Sequence, residues 1–205
     1  MAKILKLKGL ILKKTNFFND LALRVLTTEY GVITLIAKNA ASPKSRRGKV
    51  LTPGVILEFK SYFKNHYYLN EFNIKDNLAP YTDTYEKSAY LYLVFDAIDK
   101  HFVYSNPELA KKIVKLLYKL LRSKDKTKLA LFTFNIFYDL NLINSKYPVC
   151  NVCKKVTKKG YFVEGNILCR HDHKFNKKQT SIPFDFSKSS DLIRFFKDVL
   201  NYWEA

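Results

Sequence analysis

The sequence predicts an α+β protein: a small closed β-barrel, then a helical bundle with a cysteine-bearing unit inserted in it. Three observations carry this reading. Five short apolar runs precede residue 78, punctuated by turn residues, with no helical run among them. After Pro80 the apolar spacing changes from the two-residue period of strands to that of helices. Near the C-terminal end, three cysteines are spaced as metal ligands.

The first strand is expected over Lys3–Thr15, with Gly9 marking a bend of the kind small barrels use. Asn16 to Asp20 is turn chemistry. In the second strand, Leu21–Thr27, residues Leu21, Leu23 and Val25 alternate with Ala22, Arg24 and Leu26. Glu29-Tyr30-Gly31 turns the chain into the third strand, Val32–Ala37. The fourth run puts Val55, Leu57, Phe59 and Phe63 on one face and Glu58, Lys60 and Tyr62 on the other. Lys64-Asn65-His66 is a short turn, and Tyr67–Ile74 returns as the fifth strand. Five short strands leave two exposed edges unless they close. A five-stranded barrel of the oligonucleotide-binding type over residues 1–78 is the economical solution.

Between the third and fourth strands lies Lys38–Lys49. Its twelve residues include five cations (Lys38, Lys44, Arg46, Arg47, Lys49) and no acid. Ser42-Pro43 and Gly48 argue against regular helix or strand here. A connection between strands stays solvated, and clustered Lys and Arg suit the evenly spaced charges of a polynucleotide. Lys64, in the next turn, joins this candidate nucleic-acid set. Tyr62, Tyr67 and Tyr68 are candidate stacking platforms.

Residues 79–205 read as a helical domain. Asp83 and Glu86 resemble a helix start, followed by Tyr85, Ala89, Tyr92, Leu93 and Ile98 at helical spacing. Asn106-Pro107-Glu108 begins a second helix with a cap residue, a first-turn proline and an acid near the positive end. Leu109, Ile113, Leu116, Leu117 and Leu120 form its apolar stripe. Lys111, Lys115, Lys119 and Arg122 form a basic stripe, a candidate surface for an acidic peptide. Leu129, Phe132, Ile136, Phe137 and Leu140 define a third helix, and the three should pack as a bundle. A last helix, capped by Ser189 or Ser190, presents Leu192, Phe195, Phe196 and Val199, with Trp203 anchoring its end. Lys174–Thr180 is a polar, basic linker.

The inserted unit spans residues 147–174. Cys150 and Cys153 form a C-x2-C pair, and fifteen residues separate Cys153 from Cys169. That is the front of a zinc-ribbon pattern, but Asp172 stands where the fourth cysteine would be. His171 and His173 flank it. Thiolate and imidazole suit zinc, so a structural Cys3His site is expected with one of the two histidines. Tyr161–Cys169, with Glu164-Gly165-Asn166 at its middle, reads as the hairpin leading to the second ligand pair.

Charge narrows the function. The net charge is +18 over 205 residues. Residues 1–80 contribute +9, residues 81–145 only +3, and residues 146–205 +6. Such a field attracts polynucleotides or acidic protein segments. No apolar run is long enough for a transmembrane helix, so no membrane partner is expected. Met1-Ala-Lys-Ile-Leu-Lys is not a signal peptide, and the chain reads as cytoplasmic. A deaminase zinc signature needs His-x-Glu upstream of Pro-Cys-x-x-Cys, and neither is present. Phosphate-binding loops, nucleophile elbows and zinc-protease helices are also absent, so an enzyme is not expected.

Several short motifs, in order, carry a family resemblance: Gly9-Leu-Ile-Leu12, Leu26-Thr-Thr-Glu-Tyr-Gly31, Pro43-Lys-Ser-Arg46 and Tyr147-Pro-Val-Cys150 leading to Cys153. This order resembles the RecO family of bacterial recombination mediators. The resemblance implies a non-enzymatic, nucleoid-associated DNA-repair protein that binds single- and double-stranded DNA and anneals complementary strands. It also implies help in loading the RecA recombinase, together with RecR and the acidic tail of single-strand-binding protein. Members are commonly longer, and the helical region here looks trimmed. The sequence also admits an RNA- or ribosome-associated barrel and zinc-ribbon protein, or a scaffold with only protein ligands.

Overall fold

The computed structural model describes residues 4–102, 106–173, 181–185 and 189–204. The expected linker Lys174–Thr180 lies outside the described residues. Two compact units emerge: Met1–Thr82 with Ile98–Lys115, and Asp83–Ala97 with Leu116–Ala205.

In the first unit, β1 (Ile4–Phe17), β2 (Asp20–Thr27), β3 (Gly31–Ala37), β4 (Val55–Phe63) and β5 (Tyr67–Asn77) close a barrel in the order β1-β2-β3-β5-β4. Every neighbouring pair is antiparallel except β3 with β5, joined in parallel at Leu35–Tyr67 and Ile36–Tyr68. β1 serves two partners. Its first half pairs with β4, its second half with β2, and a bulge between Ile11 and Lys13 bends it. The bend is therefore not at Gly9. That glycine instead permits close packing, since a Cβ there would lie 2.5 Å from Val25 Cγ1.

The two-residue period fills the interior. Leu7, Ile11, Leu21, Leu23, Val25, Ile33, Leu35, Val55, Leu57, Phe59 and Leu69 form one buried cluster. Each contributes about 1.5–3 kcal/mol by leaving water. Phe63, expected on the inner face, is the last residue of β4, paired with Tyr67, and is exposed. On the outside, Arg24 Nε of β2 donates to Asp99 Oδ1 at 2.5 Å, within the same unit.

Helix α1 (Arg46–Val50) falls inside the basic connection, where no helix was expected. Ser45 supplies the missing signal: its Oγ accepts from Gly48 N–H at 3.2 Å and caps the turn. Gly48 is required for contact, not flexibility. A Cβ on it would fall 1.9 Å from the Ala40 carbonyl oxygen.

α2 (Tyr85–His101) and α3 (Pro107–Arg122) each contribute residues to both units. Thr84, one residue later than expected, caps α2 by accepting from Lys87 N–H. Asp83 instead pairs with Lys87 Nζ at 2.8 Å. Tyr85 and Tyr92 face solvent; the buried face is Tyr90, Leu91, Val94, Phe95, Ala97 and Ile98. α3 begins as the sequence predicts, with Leu109 N–H donating to Asn106 Oδ1 at 3.0 Å.

The second unit holds α4 (Lys126–Asp139) and α6 (Ser189–Glu204) around an aromatic core. Phe134 stacks on Phe195 and meets Phe196 edge-on, and Phe137 packs against Phe196. Trp203 Nε1 donates to the Leu142 carbonyl at 3.0 Å and pins the end of α6. A three-stranded sheet completes the unit, with β6 (Lys159–Val163) between β7 (Asn166–Cys169) and β8 (Ile182–Asp185). The β6–β7 hairpin turns at Glu164 and Gly165, both at positive φ, as anticipated. β8 was not anticipated.

Candidate nucleic-acid interface and metal centre

The basic connection spans from the end of β3 through α1. Lys38, Lys44, Arg46 and Lys49 are exposed. Among the described residues none of them meets a carboxylate. Arg47 differs: it is half-buried, donates to the Asn70 carbonyl at 2.7 Å and lies over the Phe72 ring. It fastens the connection to β5. Lys14 Nζ, donating to the Gly48 carbonyl at 2.6 Å, fastens it to β1. The free cations are thus carried on an anchored segment rather than a loose one. Lys64 is exposed in the β4–β5 turn.

Aromatic rings adjoin Lys38. Tyr62 and Tyr68, directly opposite on β4 and β5, stack with centroids 5.2 Å apart and planes 16° apart. Lys38 Nζ stands 5.0 Å above the Tyr68 ring. Tyr67 turns the other way and packs against Phe63 and Tyr30. The structure therefore separates the three tyrosines into a Tyr62–Tyr68 pair beside Lys38 and a Tyr67 cluster. On α3, Lys111 pairs with Glu108 at 3.0 Å, Lys115 and Lys119 are exposed, and Arg122 lies over Tyr118.

The cysteine unit is built by short-range hydrogen bonds. Cys150 N–H donates to Lys155 O, and Lys154 N–H, at a residue of positive φ, donates back to Cys150 O. This tight turn presents Cys150 and Cys153. Asn151 ties it to the second ligand pair: its N–H donates to Ile167 O, and its Oδ1 accepts from Ile167 N–H, both at 2.7 Å. The short helix α5 (Arg170–His173) then carries Asp172 back over the sulfurs.

Cys150, Cys153, Cys169 and Asp172 place one ligand atom each within 4.8 Å of one another. Thiols of Cys150 and Cys169 donate to Asp172 Oδ2 at 2.9 and 3.1 Å. The expected histidine is not in this group. His171 is exposed, with Nδ1 3.3 Å from Asp172 Oδ1, and His173 stacks on Tyr161 at 3.9 Å. The turn that follows Cys169 brings the Asp172 carboxylate onto the sulfurs, while His171 stays in solvent and the Tyr161 ring holds His173.

The donor set fits a metal ion. Zinc–thiolate bonds of about 2.3 Å give tetrahedral edges near ~3.8 Å, so a contraction of about 1 Å closes the set. Protonation chemistry agrees. The Cys150 and Cys169 thiols hold the Asp172 carboxyl well below the usual carboxylate range. The Lys155 backbone pulls the Cys153 thiol down, but burial and the adjoining Cys150, Asp172 and Cys169 outweigh it and push it up to about 11. A thiol raised in this way keeps its proton until a cation replaces it. A Cys3Asp group able to hold a metal ion is therefore present.

Residues 1–78 match the family model described as "Recombination protein O N terminal". A DNA repair protein RecO from Leuconostoc citreum is 35% identical over 101 residues, covering 47% of this chain. The aligned part amounts to 38% of that relative's length, so the chain spans well under two thirds of it. The resemblance carried by the N-terminal motifs is thus matched by both comparisons: residues 1–78 are similar to the N-terminal domain of the RecO family.

Proposed function

We propose that this protein is a non-enzymatic DNA repair and recombination mediator. It binds single- and double-stranded DNA on the barrel, anneals complementary strands, and helps load RecA together with RecR and single-strand-binding protein. The observation that carries this reading is the set of exposed cations Lys38, Lys44, Arg46 and Lys49, which meet no carboxylate among the described residues and sit on an anchored connection, with Lys38 over the Tyr68 ring of the Tyr62–Tyr68 pair. Unpaired cations neutralise phosphates and release their counterions, which gives affinity without sequence preference. Neighbouring rings accept unpaired bases. Screening the repulsion between two backbones is what annealing requires.

Zinc is the metal proposed for Cys150, Cys153, Cys169 and Asp172, in a structural role. Four protein ligands close a tetrahedral site and leave no position for a reacting water. The basic stripe of Lys111, Lys115, Lys119 and Arg122 is proposed to receive the acidic tail of single-strand-binding protein.

The test is a strand-annealing assay with complementary oligonucleotides, bare and coated with single-strand-binding protein. Acceleration in both conditions supports the reading. Binding without acceleration reduces it to a DNA-binding protein. Preference for RNA in competition between matched oligonucleotides moves it to the RNA-associated class.

A further inference from the structure

The β1–β2 hairpin ends in a two-residue turn, Phe18-Asn19, whose flanking pair is Phe17 and Asp20. Phe18 is 91% exposed and Phe17 59%. Their rings meet edge-on with centroids 5.1 Å apart. Phe18 also adopts φ 52°, the left-handed region that turns usually fill with glycine or asparagine. Two choices at this tip therefore oppose folding: a bulky residue at positive φ, and a pair of phenyl rings left in water. The barrel core draws on neither ring. Strained and exposed aromatic residues point to a ligand.

The surroundings of the tip identify the ligand's charge. Ala41 N–H donates to the Asn19 carbonyl at 2.9 Å, and Asn39 N–H to Asp20 Oδ1 at 2.7 Å. These bonds hold the turn against the basic connection, with the Lys14–Gly48 bond reinforcing the junction from β1. The aromatic tip is thus bonded to the start of the anchored connection that carries Lys44, Arg46 and Lys49. The one carboxylate at the tip, Asp20, is engaged with the backbone.

We infer that Phe17 and Phe18 form a stacking wedge for unpaired bases of a single strand whose phosphates are held by the neighbouring cations. This inference rests on the DNA-binding reading of the barrel. Rings flanking a phosphate-binding edge accept any base, because every base has a π-face. Apolar side chains at such an edge enter between base steps and separate them. In an annealing protein, such a wedge would hold bases apart and available for pairing.

The test compares the wild-type protein with F17S/F18N, whose asparagine suits the turn, so melting temperature should not fall. Two fluorescently labelled single strands of equal length are used, one normal and one abasic. The wedge predicts that the variant binds the normal strand about ten-fold more weakly. It also predicts equal affinity of both proteins for the abasic strand and an unchanged salt slope. Unchanged affinity for the normal strand overturns the wedge and leaves the DNA-binding reading standing. Failure of the wild-type protein to bind any polynucleotide at low salt removes both. Vesicles containing phosphatidylserine form the last arm: variant-dependent loss of vesicle binding, with oligonucleotide affinity unchanged, assigns the tip to a membrane surface and overturns the wedge.

Discussion

Asp172, rather than either adjacent histidine, completes the cysteine set, and that assignment can be tested quantitatively. A metal that binds only the folded unit stabilises it by RT ln(1 + [L]/Kd), about 4 kcal/mol at a thousand-fold excess over Kd. Asp172→Ala removes one of four donors from a group whose members lie within 4.8 Å of each other. If zinc affinity falls about a hundred-fold, roughly 2.7 kcal/mol of that stabilisation is lost at the same metal concentration. For a unit of about a hundred residues, this lowers Tm by about 10–20 °C. His171→Ala leaves the donors in place and removes only a partner of the carboxylate, 3.3 Å away, so a loss nearer ten-fold is expected. Asp172→Cys should retain the metal. The assay is competition for zinc against a chromophoric chelator, paired with thermal melting with and without metal. Tight binding by Asp172→Ala, with loss in His171→Ala or His173→Ala, would refute the reasoning.

Further outcomes follow from the same contacts. Gly48→Ala should destabilise the barrel by about 1–3 kcal/mol in urea denaturation, because the new Cβ meets the Ala40 carbonyl at 1.9 Å. A double-mutant cycle on Arg24 and Asp99 should give a coupling of about 1 kcal/mol, since their side chains are 36% and 15% exposed; zero coupling would show that the bond does not hold the helix end to β2. Glu58 and Glu71 have carboxyls lowered by hydrogen bonds from Lys75 and Lys60. Their folded pKa lies below the unfolded one, so any stabilisation is complete above pH ~4.5 and fades as pH falls through the lowered value. Carboxyl titration by NMR should place both below a solvated glutamate. Reversing Lys115 and Lys119 to glutamate should weaken binding of an acidic tail peptide. Intact binding would free that surface from the account.

Much of this was legible in the sequence where one period ruled a segment. Leu21, Leu23 and Val25 alternate without interruption, and the barrel followed from such runs. Asn106-Pro107-Glu108 names its own helix start because cap, proline and acid agree. Legibility failed where two signals competed. Pro43 and Gly48 argued against helix in the basic connection, yet Ser45 caps a short one, and Gly48 serves a close approach to Ala40. In α2, Tyr85 and Tyr92 were placed inside by spacing alone; a tyrosine suits either side of a helix, and tertiary packing chose Tyr90 instead. Ligand chemistry favoured histidine at the metal centre, whereas the three-residue step from Cys169 favoured Asp172. Geometry prevailed, and the ribbon spacing had already pointed to that position. Phe17 and Phe18 gave no signal in the sequence, because turn chemistry around Asn16 and Asp20 masked them.

The central claim is that cations on the connection between β3 and β4 grip a polynucleotide backbone. Its most direct measurement is the salt dependence of single-strand affinity for the wild-type protein and for K44A/R46A/K49A, which leaves the anchoring Arg47 in place. With about five phosphates engaged, the wild-type logarithmic slope should be near −3.5, and the variant's near −1.4 with weaker binding throughout. Identical slopes and affinities in the two proteins would contradict the account.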